Sequence, residues 1–459
     1  MAGLAGGRAD GTVNIMLRAV YSLLMVALQP LLLLRLLWRA RREPAYGQAL
    51  GQRFGHYRMA PLPDDGCTLW LHAVSLGEVR AAAVLLAALR PSLPSMRLLL
   101  THGTATGWEE GARLLQPGDQ QRWLPWDTPG AVRRFLRHAQ PRVGVLMETE
   151  TWPNLVAACA DAGVPLLLVN ARLSERSLAR GLRFAPLMRA TAQRLHAVVA
   201  QTDADAQRLR QLGSPVQALA GNLKYDAHPD AVALARARAW RQRHPGVRVV
   251  MLASSRAGEE QALLDALQAH RAPGQTQPAD GAMHSVASTA IRWLVVPRHP
   301  QRFDAVAELL HASGLPVLRR SRWGDDGPDA QQPGIWLGDS LGEMAYYYGL
   351  ADVVLLGGSF APLGGQNLIE AAACGCALVL GPHTYNFAQA AELALEQGAA
   401  QRCADMAQAV QTAQGLLQSS RLAEMRHNAT QLAQGQQGAA ARYAAAVQQV
   451  WEIRVRAAR

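Results

Sequence analysis

Glu78 follows an apolar, strand-like segment in the N-terminal part of the chain. In WLHAVSLGE (70–78) the strand pattern stops before a short turn, and Glu78 opens a helix whose backbone N–H groups are free to donate. A carboxylate at such a strand end can remove a proton from a hydroxyl group. The competing interpretation is structural, since an acid in the first turn also favours the helix dipole.

Two further acids and a lysine occupy similar positions. Glu148 and Glu150 follow the apolar run VGVL and precede the apolar run WPNLV. Either they belong to a solvated loop or they line a site. Lys224 follows a Gly-Asn turn in LAGNLKYD. It is either a solvated loop residue or a cation that neutralises a carboxylate or a phosphate.

Arg298 lies where another apolar strand pattern ends, in VVPRHPQRF (295–303). The flanking prolines stiffen the turn. A guanidinium fixed at this position is suited to a phosphate group. An exposed basic turn is the alternative.

The segment 338–387 is rich in glycine and turn residues. Its first part predicts a helix that starts at Leu341–Glu343 and is capped by Asp339 or Ser340. The first turn of that helix would leave backbone N–H groups free for an anion.

The second part of this segment predicts another helix start. Gly364 and Gly365 allow the backbone to approach a ligand closely. Asn367 begins the helix, and Glu370 lies one turn further along. A carboxylate at that position can accept two hydrogen bonds from a ribose diol.

The strand patterns indicate which elements hold these residues. Strand-like runs such as TLWLHAV (68–74) are apolar throughout, which is typical of a parallel sheet covered by helices on both faces. The pattern restarts at VRVVMLASS (247–255), so we predict two α/β units with a boundary near 226–246. Ligands of such sheets bind beyond the carboxyl ends of the strands, and two facing units would form a cleft.

The charge and amino-acid composition of the chain indicate which classes of molecule it could bind. The chain has 459 residues and a formal net charge of +11, which favours polyanionic partners, although its excess of arginine also fits a genomic composition bias. Only 6% of its residues are aromatic and the arginines are spread along the chain, which argues against a nucleic-acid reader. The five scattered cysteines predict buried thiols in a reducing compartment.

Several motifs are absent from the sequence. It contains no GxxxxGK[ST] and no GxGxxG after a first strand, so ATPase and ordinary dinucleotide-binding functions lack support. Neither HExxH nor an acidic DxD motif occurs in the segments described above. We therefore expect no metal and no other cofactor.

The N-terminal segment is apolar. Residues 20–34 carry no charge, a run shorter than the ~20 residues that span a bilayer comfortably. Four arginines follow between 35 and 42, and such residues stay on the cytoplasmic side of membranes. We predict a membrane anchor that lies in or barely spans the bilayer, with the rest of the chain in the cytoplasm. A buried core helix is the alternative.

A set of motifs, in order along the chain, resembles one known family. The chain is similar to the 3-deoxy-D-manno-octulosonic acid (Kdo) transferases of Gram-negative bacteria, from the N-terminal segment to about residue 400. The motifs that carry the resemblance are HAVSLGE, LPWDTP, METETWPN, NARLSERS, GNLKYD, VPRHPQRF, GDSLGEM, GGSF, GGQNLIEAAA and GPHTYNF.

The resemblance implies an α/β fold of the GT-B class, with two Rossmann-like domains facing a central cleft and an N-terminal membrane-anchoring helix. It implies an anchor at 1–45, an acceptor domain at 46–235, a CMP-Kdo-binding domain at 236–430 and a C-terminal helix at 431–459. The implied reaction is inverting, metal-independent transfer of Kdo from CMP-Kdo to a tetraacyl lipid A precursor. The implied location is the cytoplasmic face of the bacterial inner membrane, among anionic lipids.

The resemblance also implies residue roles. Glu78 corresponds to the general base, and Glu148 and Lys224 correspond to residues that stabilise the transition state. The implied CMP contacts are Pro297, Arg298, Leu341, Gly342, Glu343, Asn367, Leu368, Ile369 and Glu370.

The sequence departs from the family pattern at three places near the implied donor contacts. Arg256 and Gln366 stand where histidine is common, and NFAQ (386–389) lacks a charged pair. Two other functions remain as alternatives. One is a nucleotide-sugar epimerase or a different GT-B transferase, and the other is a non-catalytic basic module that binds membranes or nucleic acid.

Overall fold

The structure is a computed structural model. It describes residues 3–58, 67–226, 229–269, 291–324 and 326–457, with side chains described between 14 and 454. The chain divides into two compact units. The first unit comprises Met1–Ala227 and Gly438–Arg459, and the second comprises His228–Gln437. The last helix of the chain therefore belongs to the first unit.

The first unit contains one seven-stranded parallel sheet. Its strands are β1 (Thr68–His72), β2 (Arg97–His102), β3 (Gln120–Trp123), β4 (Val143–Met147), β5 (Leu166–Ala171), β6 (Ala197–Ala200) and β7 (Val216–Leu219). Their order across the sheet is β3-β2-β1-β4-β5-β6-β7. The chain leaves β1 towards one edge and returns to β4 on its other side. The topological switch point, where α/β proteins bind ligands, is therefore between β1 and β4.

Helices cover both faces of this sheet. They are α1 (Gly3–Ala40), α2 (Leu76–Ser92), α3 (Ala105–Ala112), α4 (Pro129–Ala139), α5 (Pro153–Asp161), α6 (Glu175–Leu182), α7 (Ala185–Ala192), α8 (Asp203–Gln211) and, from the end of the chain, α17 (Ala439–Ala457). Alternate residues of the strands pack into two separate apolar cores. Burial on both faces explains why these strands are apolar throughout.

The second unit repeats this architecture. Its strands are β8 (Arg248–Ser255), β9 (Ile291–Pro297), β10 (Val317–Arg319), β11 (Ile335–Leu337), β12 (Val353–Leu356), β13 (Ala377–Leu380) and β14 (Ala400–Arg402). They form a parallel sheet in the order β10-β11-β9-β8-β12-β13-β14, with the switch point between β8 and β12.

The helices of the second unit surround that sheet. They are α9 (Ala231–Arg243), α10 (Glu259–Ala269), α11 (Phe303–Ala312), α12 (Met344–Leu350), α13 (Leu368–Ala373), α14 (Ala388–Glu396), α15 (Met406–Leu417) and α16 (Arg421–Gly435). The predicted C-terminal helix 431–459 falls on two helices, since α16 ends at Gly435 and α17 begins at Ala439.

Helix α1 is long and apolar, and it lies on the surface of the first unit. Its segment Asn14–Ala40 is long and apolar enough to cross a membrane, and none of that segment is buried within the structure. The uncharged run read from the sequence is shorter than this helix, because the helix continues through Pro30 and into the arginine-containing turns. Helix α1 packs against α5 and α7, and the Ser22 hydroxyl donates a hydrogen bond to Asn154 Oδ1 (2.9 Å).

Candidate active site

Glu78 is held in a capping arrangement at the start of α2. The Ser75 hydroxyl oxygen accepts a hydrogen bond from the Glu78 N–H (3.4 Å). The Glu78 carboxylate in turn accepts hydrogen bonds from the Val74 N–H and the Ser75 hydroxyl, both at 2.9 Å. This is a variant of the capping box, so Glu78 does serve the helix. The same contacts fix its carboxylate at the carboxyl end of β1, next to the switch point.

Burial raises the pKa of Glu78 above its usual range. The hydrogen bonds from Val74 and Ser75 oppose this rise, while the negative charge of Glu148 adds to it. The influence of Glu148 shows that carboxylates from the ends of β1 and β4 belong to one electrostatic cluster. A carboxylate with a raised pKa is a stronger base than an exposed one.

Glu148 and Lys224 are brought together, although 76 positions separate them in the sequence. Glu148 is buried directly after β4, and its backbone has a positive φ of 57°. One carboxylate oxygen lies 3.5 Å from Lys224 Nζ. The other accepts a hydrogen bond from Arg172 Nε at 2.7 Å. One buried acid is therefore faced by two cations.

Arg172 has no assigned role in the sequence analysis. It follows β5 directly, within the NARLSERS motif. The rule that selected Glu78 and Glu148, a polar residue at the carboxyl end of a strand, applies to it equally. Applying that rule to every strand would have identified it.

Lys224 is positioned by the end of β5. Its backbone N–H donates to Asn222 Oδ1 (3.0 Å), and the adjacent Leu223 N–H donates to Asn170 Oδ1 (3.1 Å). Asn170 itself has a positive φ of 50°. The turn that carries Lys224 is thus attached to the strand that carries Arg172.

Glu150 is a third carboxylate in the cluster. Burial raises its pKa to about 7, and the charges of Glu78 and Glu148 contribute to the rise. The hydrogen bond from Trp152 Nε1 to its carboxylate (2.9 Å) acts in the opposite direction. Glu150 therefore changes its protonation state near neutral pH.

In the second unit, Pro297 ends β9 and Arg298 follows it. The Arg298 N–H donates to the Ser255 carbonyl oxygen (3.0 Å), which fixes the turn to the end of β8. Arg298 Nε donates to Gln366 Oε1 (3.3 Å), next to Asn367. The end of β9 and the start of α13 are thus adjacent, as a shared ligand would require.

Asn367 caps α13 as predicted. Its side-chain oxygen accepts a hydrogen bond from the Ile369 N–H (3.1 Å). Leu368 and Ile369 are buried, so a ligand at this turn would meet their backbone rather than their side chains. Glu370 lies in the first turn of the same helix, and its side chain is half-buried.

The predicted helix start at Leu341–Glu343 is wrong. Helix α12 begins at Met344 without a side-chain cap, and Gly342 has a positive φ of 79°. The expected capping side chains have other partners. The Asp339 carboxylate accepts hydrogen bonds from Arg319 (2.6 Å) and from Ser321.

The Glu343 carboxylate also accepts hydrogen bonds from neighbouring side chains. Arg320 Nη2 donates to its carboxylate at 2.7 Å, and the Ser340 hydroxyl also donates to it. Leu341, Gly342 and Glu343 therefore form a loop tied to the β10 side of the sheet, rather than the first turn of a helix.

Glu259 is a structural position beside the donor loops that the sequence analysis missed. This buried carboxylate accepts hydrogen bonds from the Gly358 N–H (2.8 Å) and, at 3.2 Å each, from the Phe360 and Ala361 N–H groups. It also accepts one from the Arg256 N–H (2.9 Å). One acid thus holds the GGSF loop after β12 against the loop after β8, at the switch point of the second sheet.

Basic side chains gather beside that switch point. Arg256 Nη1 lies 2.9 Å from His299 Nε2. Slight desolvation of the exposed His299 ring, followed by the positive charges of Arg256 and Arg298, lowers the pKa of His299. The guanidinium groups beside this turn leave a positively charged region suited to a phosphate.

Comparisons with known proteins identify the family to which the chain is similar. A family profile described as 3-Deoxy-D-manno-octulosonic-acid transferase (kdotransferase) matches residues 48–227. The 3-deoxy-D-manno-octulosonic acid transferase of Bordetella pertussis is 44% identical over 412 residues, which cover 87% of this chain and 91% of that protein. The enzyme of the same name from Haemophilus influenzae is 32% identical and covers 83% of this chain and 86% of that protein.

The crystal structure of a glycosyltransferase from Rickettsia africae matches with a TM-score of 0.54 at 11% identity, covering 84% of this chain and 99% of that one. At this identity the match concerns the fold alone. Together with the two parallel sheets, it confirms the predicted GT-B fold class. The extent of identity to the curated relatives establishes more than the fold: the chain belongs to the family of 3-deoxy-D-manno-octulosonic acid transferases.

Proposed function

We propose that the protein transfers Kdo from CMP-Kdo to a hydroxyl group of a tetraacyl lipid A precursor, with inversion and without a metal or other cofactor. The observation that carries the proposal is the charge cluster at the switch point of the first sheet. There Glu78 and Glu148 follow neighbouring strands, and Arg172 and Lys224 face Glu148.

Glu78 is the general base in this proposal. It takes the proton of the acceptor hydroxyl as the new bond forms between that oxygen and C2 of Kdo. The hydrogen bonds from Val74 and Ser75 hold its carboxylate in one orientation, and its raised pKa increases its basicity. The capping role and the catalytic role are compatible, because each carboxylate oxygen retains a lone pair.

Glu148 and Lys224 stabilise the transition state. As the bond between C2 and the phosphate oxygen breaks, positive charge develops on the sugar ring, and a fixed carboxylate stabilises that charge. Lys224 lies beside the same carboxylate and is half-exposed, so its ammonium can also pair with the carboxylate of Kdo. Both groups are preorganised by their mutual ion pair.

The second unit binds the CMP part of the donor. Arg298, next to Pro297, receives the negative charge of the departing phosphate. The backbone at Asn367, Leu368 and Ile369 contacts the nucleotide, and Glu370 accepts hydrogen bonds from the ribose diol.

The loop formed by Leu341, Gly342 and Glu343 also contacts the nucleotide. Because α12 starts only at Met344, this contact uses loop backbone rather than the first turn of a helix. The positive φ of Gly342 orients that backbone.

Helix α1 anchors the enzyme to the cytoplasmic face of the inner membrane. Its apolar surface is exposed over Asn14–Ala40, which supports insertion into lipid. The arginines that follow the apolar run suit anionic headgroups. An anchored enzyme remains in the layer that contains its lipid acceptor.

The test is an assay of purified enzyme with CMP-Kdo and tetraacyl lipid A precursor in the presence of EDTA, with the lipid product weighed by mass spectrometry. We expect a gain of one or more Kdo units. Glu78→Gln should reduce the rate by about 10²–10⁴-fold, the usual contribution of a general base. The matched control is Glu109→Gln, an exposed acid on α3, which should retain full activity.

Each outcome has a definite meaning. Absence of any mass gain with the unmodified enzyme would refute the substrate assignment. Full activity of Glu78→Gln would retain the reaction but remove Glu78 as the base. NMR of the anomeric carbon in the product distinguishes inversion from retention.

A further inference from the structure

The first unit contains a cavity of about 390 Å³ under the hairpin formed by α6 and α7. Its inner wall is apolar and includes Leu168 of β5, Met188 and Ala192 of α7, and Leu209 of α8. Its volume is in the range of small-molecule sites. The side chains that line such a space make fewer dispersion contacts than those in a closely packed core, and a bound apolar ligand would restore these contacts.

The roof of this cavity is loosely attached to the sheet. Helix α6 buries none of its residues, and both Leu182 at its last position and Phe184 in the segment before α7 are exposed. Phe184 also lines the cavity. An apolar opening with an exposed aromatic side chain is suited to a hydrocarbon chain entering from lipid.

The cavity is also continuous with the proposed catalytic cluster. Glu148 and Arg172, which form the 2.7 Å ion pair, lie at its polar end, and Arg180 of α6 lines it too. A ligand that filled this space would therefore have an apolar part between the helices and an anionic part beside the two guanidinium groups.

The position of the hairpin supports access from a membrane. Helix α7 packs directly against α1, whose apolar surface is exposed. Residues 172–189 contain five arginines and one acid, so the hairpin is strongly basic. An apolar rim surrounded by arginines is typical of surfaces that contact anionic lipid.

We infer that this cavity binds one acyl chain of the lipid acceptor, while Arg172 and Arg180 pair with a phosphate group of the same lipid. The inference rests on the proposed lipid acceptor, and it assigns to α6 and α7 the recognition of that acceptor. Binding the chain between the helices would bring the sugar of the lipid towards the end of β4, where Glu148 lies.

The test uses a tetraacyl disaccharide bisphosphate that carries a diazirine in the middle of one acyl chain. After irradiation with the full-length enzyme, labelled peptides are identified by mass spectrometry. We expect labels between Leu168 and Ser214. Met188→Trp fills the cavity from a half-exposed wall position and should reduce that labelling about tenfold, because excluding even two methylene groups has an effect of this size.

The matched control is Ala179→Trp, which places the same side chain on an exposed position of α6 that does not line the cavity. The extent of photolabelling in this variant should equal that in the unmodified enzyme. Labels confined to α1, no labelling, or equal labelling of Met188→Trp and the unmodified enzyme would each overturn the inference.

Kdo transfer to the same lipid, measured on the same samples, separates this inference from the proposed function. Cavity labelling without transfer would refute the proposed reaction and leave the lipid site standing. Transfer with labels only on α1 would support the reaction and refute the site.

Discussion

The two units each have a buried carboxylate at the switch point of their sheet, and the two are held in different ways. Glu148 in the first unit is paired with the side chains of Arg172 and Lys224, which are 56% and 33% exposed. Glu259 in the second unit is surrounded by backbone N–H groups, of Gly358, Phe360, Ala361 and Arg256.

This difference suggests different roles for the two residues, a role in the reaction for Glu148 and a structural role for Glu259. Partly exposed cations can move from a carboxylate to a substrate, so the cluster around Glu148 can change partners during a reaction. Backbone N–H groups cannot exchange in this way without moving the loop. We therefore expect the loss of Glu148 to affect the reaction rate, and the loss of Glu259 to affect loop structure and stability.

Among the variants that test this contrast, the largest expected effect is on kcat in Glu148→Gln. The amide keeps the shape of the side chain but removes the charge that faces the developing positive sugar. We expect kcat to fall by about 10²–10³-fold, as when one preorganised electrostatic group is removed from an active site. Steady-state kinetics with CMP-Kdo and the lipid acceptor measure this change.

Thermal unfolding provides the control for this variant. Because its two cationic partners are partly exposed, they regain water when the charge is removed, and Tm should change little. A large drop in Tm with an unchanged kcat would show that Glu148, like Glu259, has a structural role. The proposed difference between the carboxylates of the two units would then be refuted.

Glu259→Gln should give the opposite pattern. The amide group cannot accept all of the hydrogen bonds that the carboxylate accepts, and its NH₂ group would face other donors. We expect the free energy of unfolding to fall by about 3 kcal/mol, with a raised KM for CMP-Kdo as the GGSF loop loosens. Chemical denaturation and donor-dependent kinetics measure the two effects.

Glu308→Gln is the matched control, since it makes the same change at an exposed position of α11. It should leave both quantities unaltered. If Glu259→Gln instead lost kcat while retaining its stability and its KM for the donor, Glu259 would have a chemical role.

The sequence was sufficient to predict the two sheets and to select three members of the first cluster. Strands that are apolar throughout predicted two parallel sheets. Polar residues at strand ends gave Glu78 and Glu148 as candidates, whereas Lys224 was selected because it follows a turn, and the structure places it beside Glu148. The strand-end rule succeeds because the carboxyl ends of parallel strands meet at one edge, whatever the distance between them in the chain. Arg172 obeys the same rule and was left unassigned.

The donor loops of the second unit were harder to predict. The start of α12 was placed too early, because Asp339 and Ser340 resemble helix caps in sequence but bind Arg319 and Glu343 in the structure. Glu259 lies three positions after Arg256, and the sequence analysis noted only the departure at Arg256. Its role depends on a loop about a hundred positions away, and no local pattern encodes such a contact.

The smallest of these effects concerns Glu150, which tests whether the acids of the first unit form one cluster. Burial raises its pKa from 4.5 to about 7 in the folded protein. Between these values the folded state binds more protons at Glu150 than the unfolded state does, so stability is lost as pH rises through this window. Removing the titrating group with Glu150→Gln should therefore make the variant progressively more stable relative to the unmodified protein.

From about pH 5 to about pH 8, the difference in unfolding free energy between the two proteins should change by about 2 kcal/mol, allowing for solvent screening of this half-buried side chain. Denaturation at a series of pH values measures it, with Glu109→Gln as the exposed control. Parallel pH profiles for Glu150→Gln and the unmodified protein would mean that neither burial nor the charges of Glu78 and Glu148 raise the pKa of Glu150. The first unit would then have a site of two interacting carboxylates rather than three.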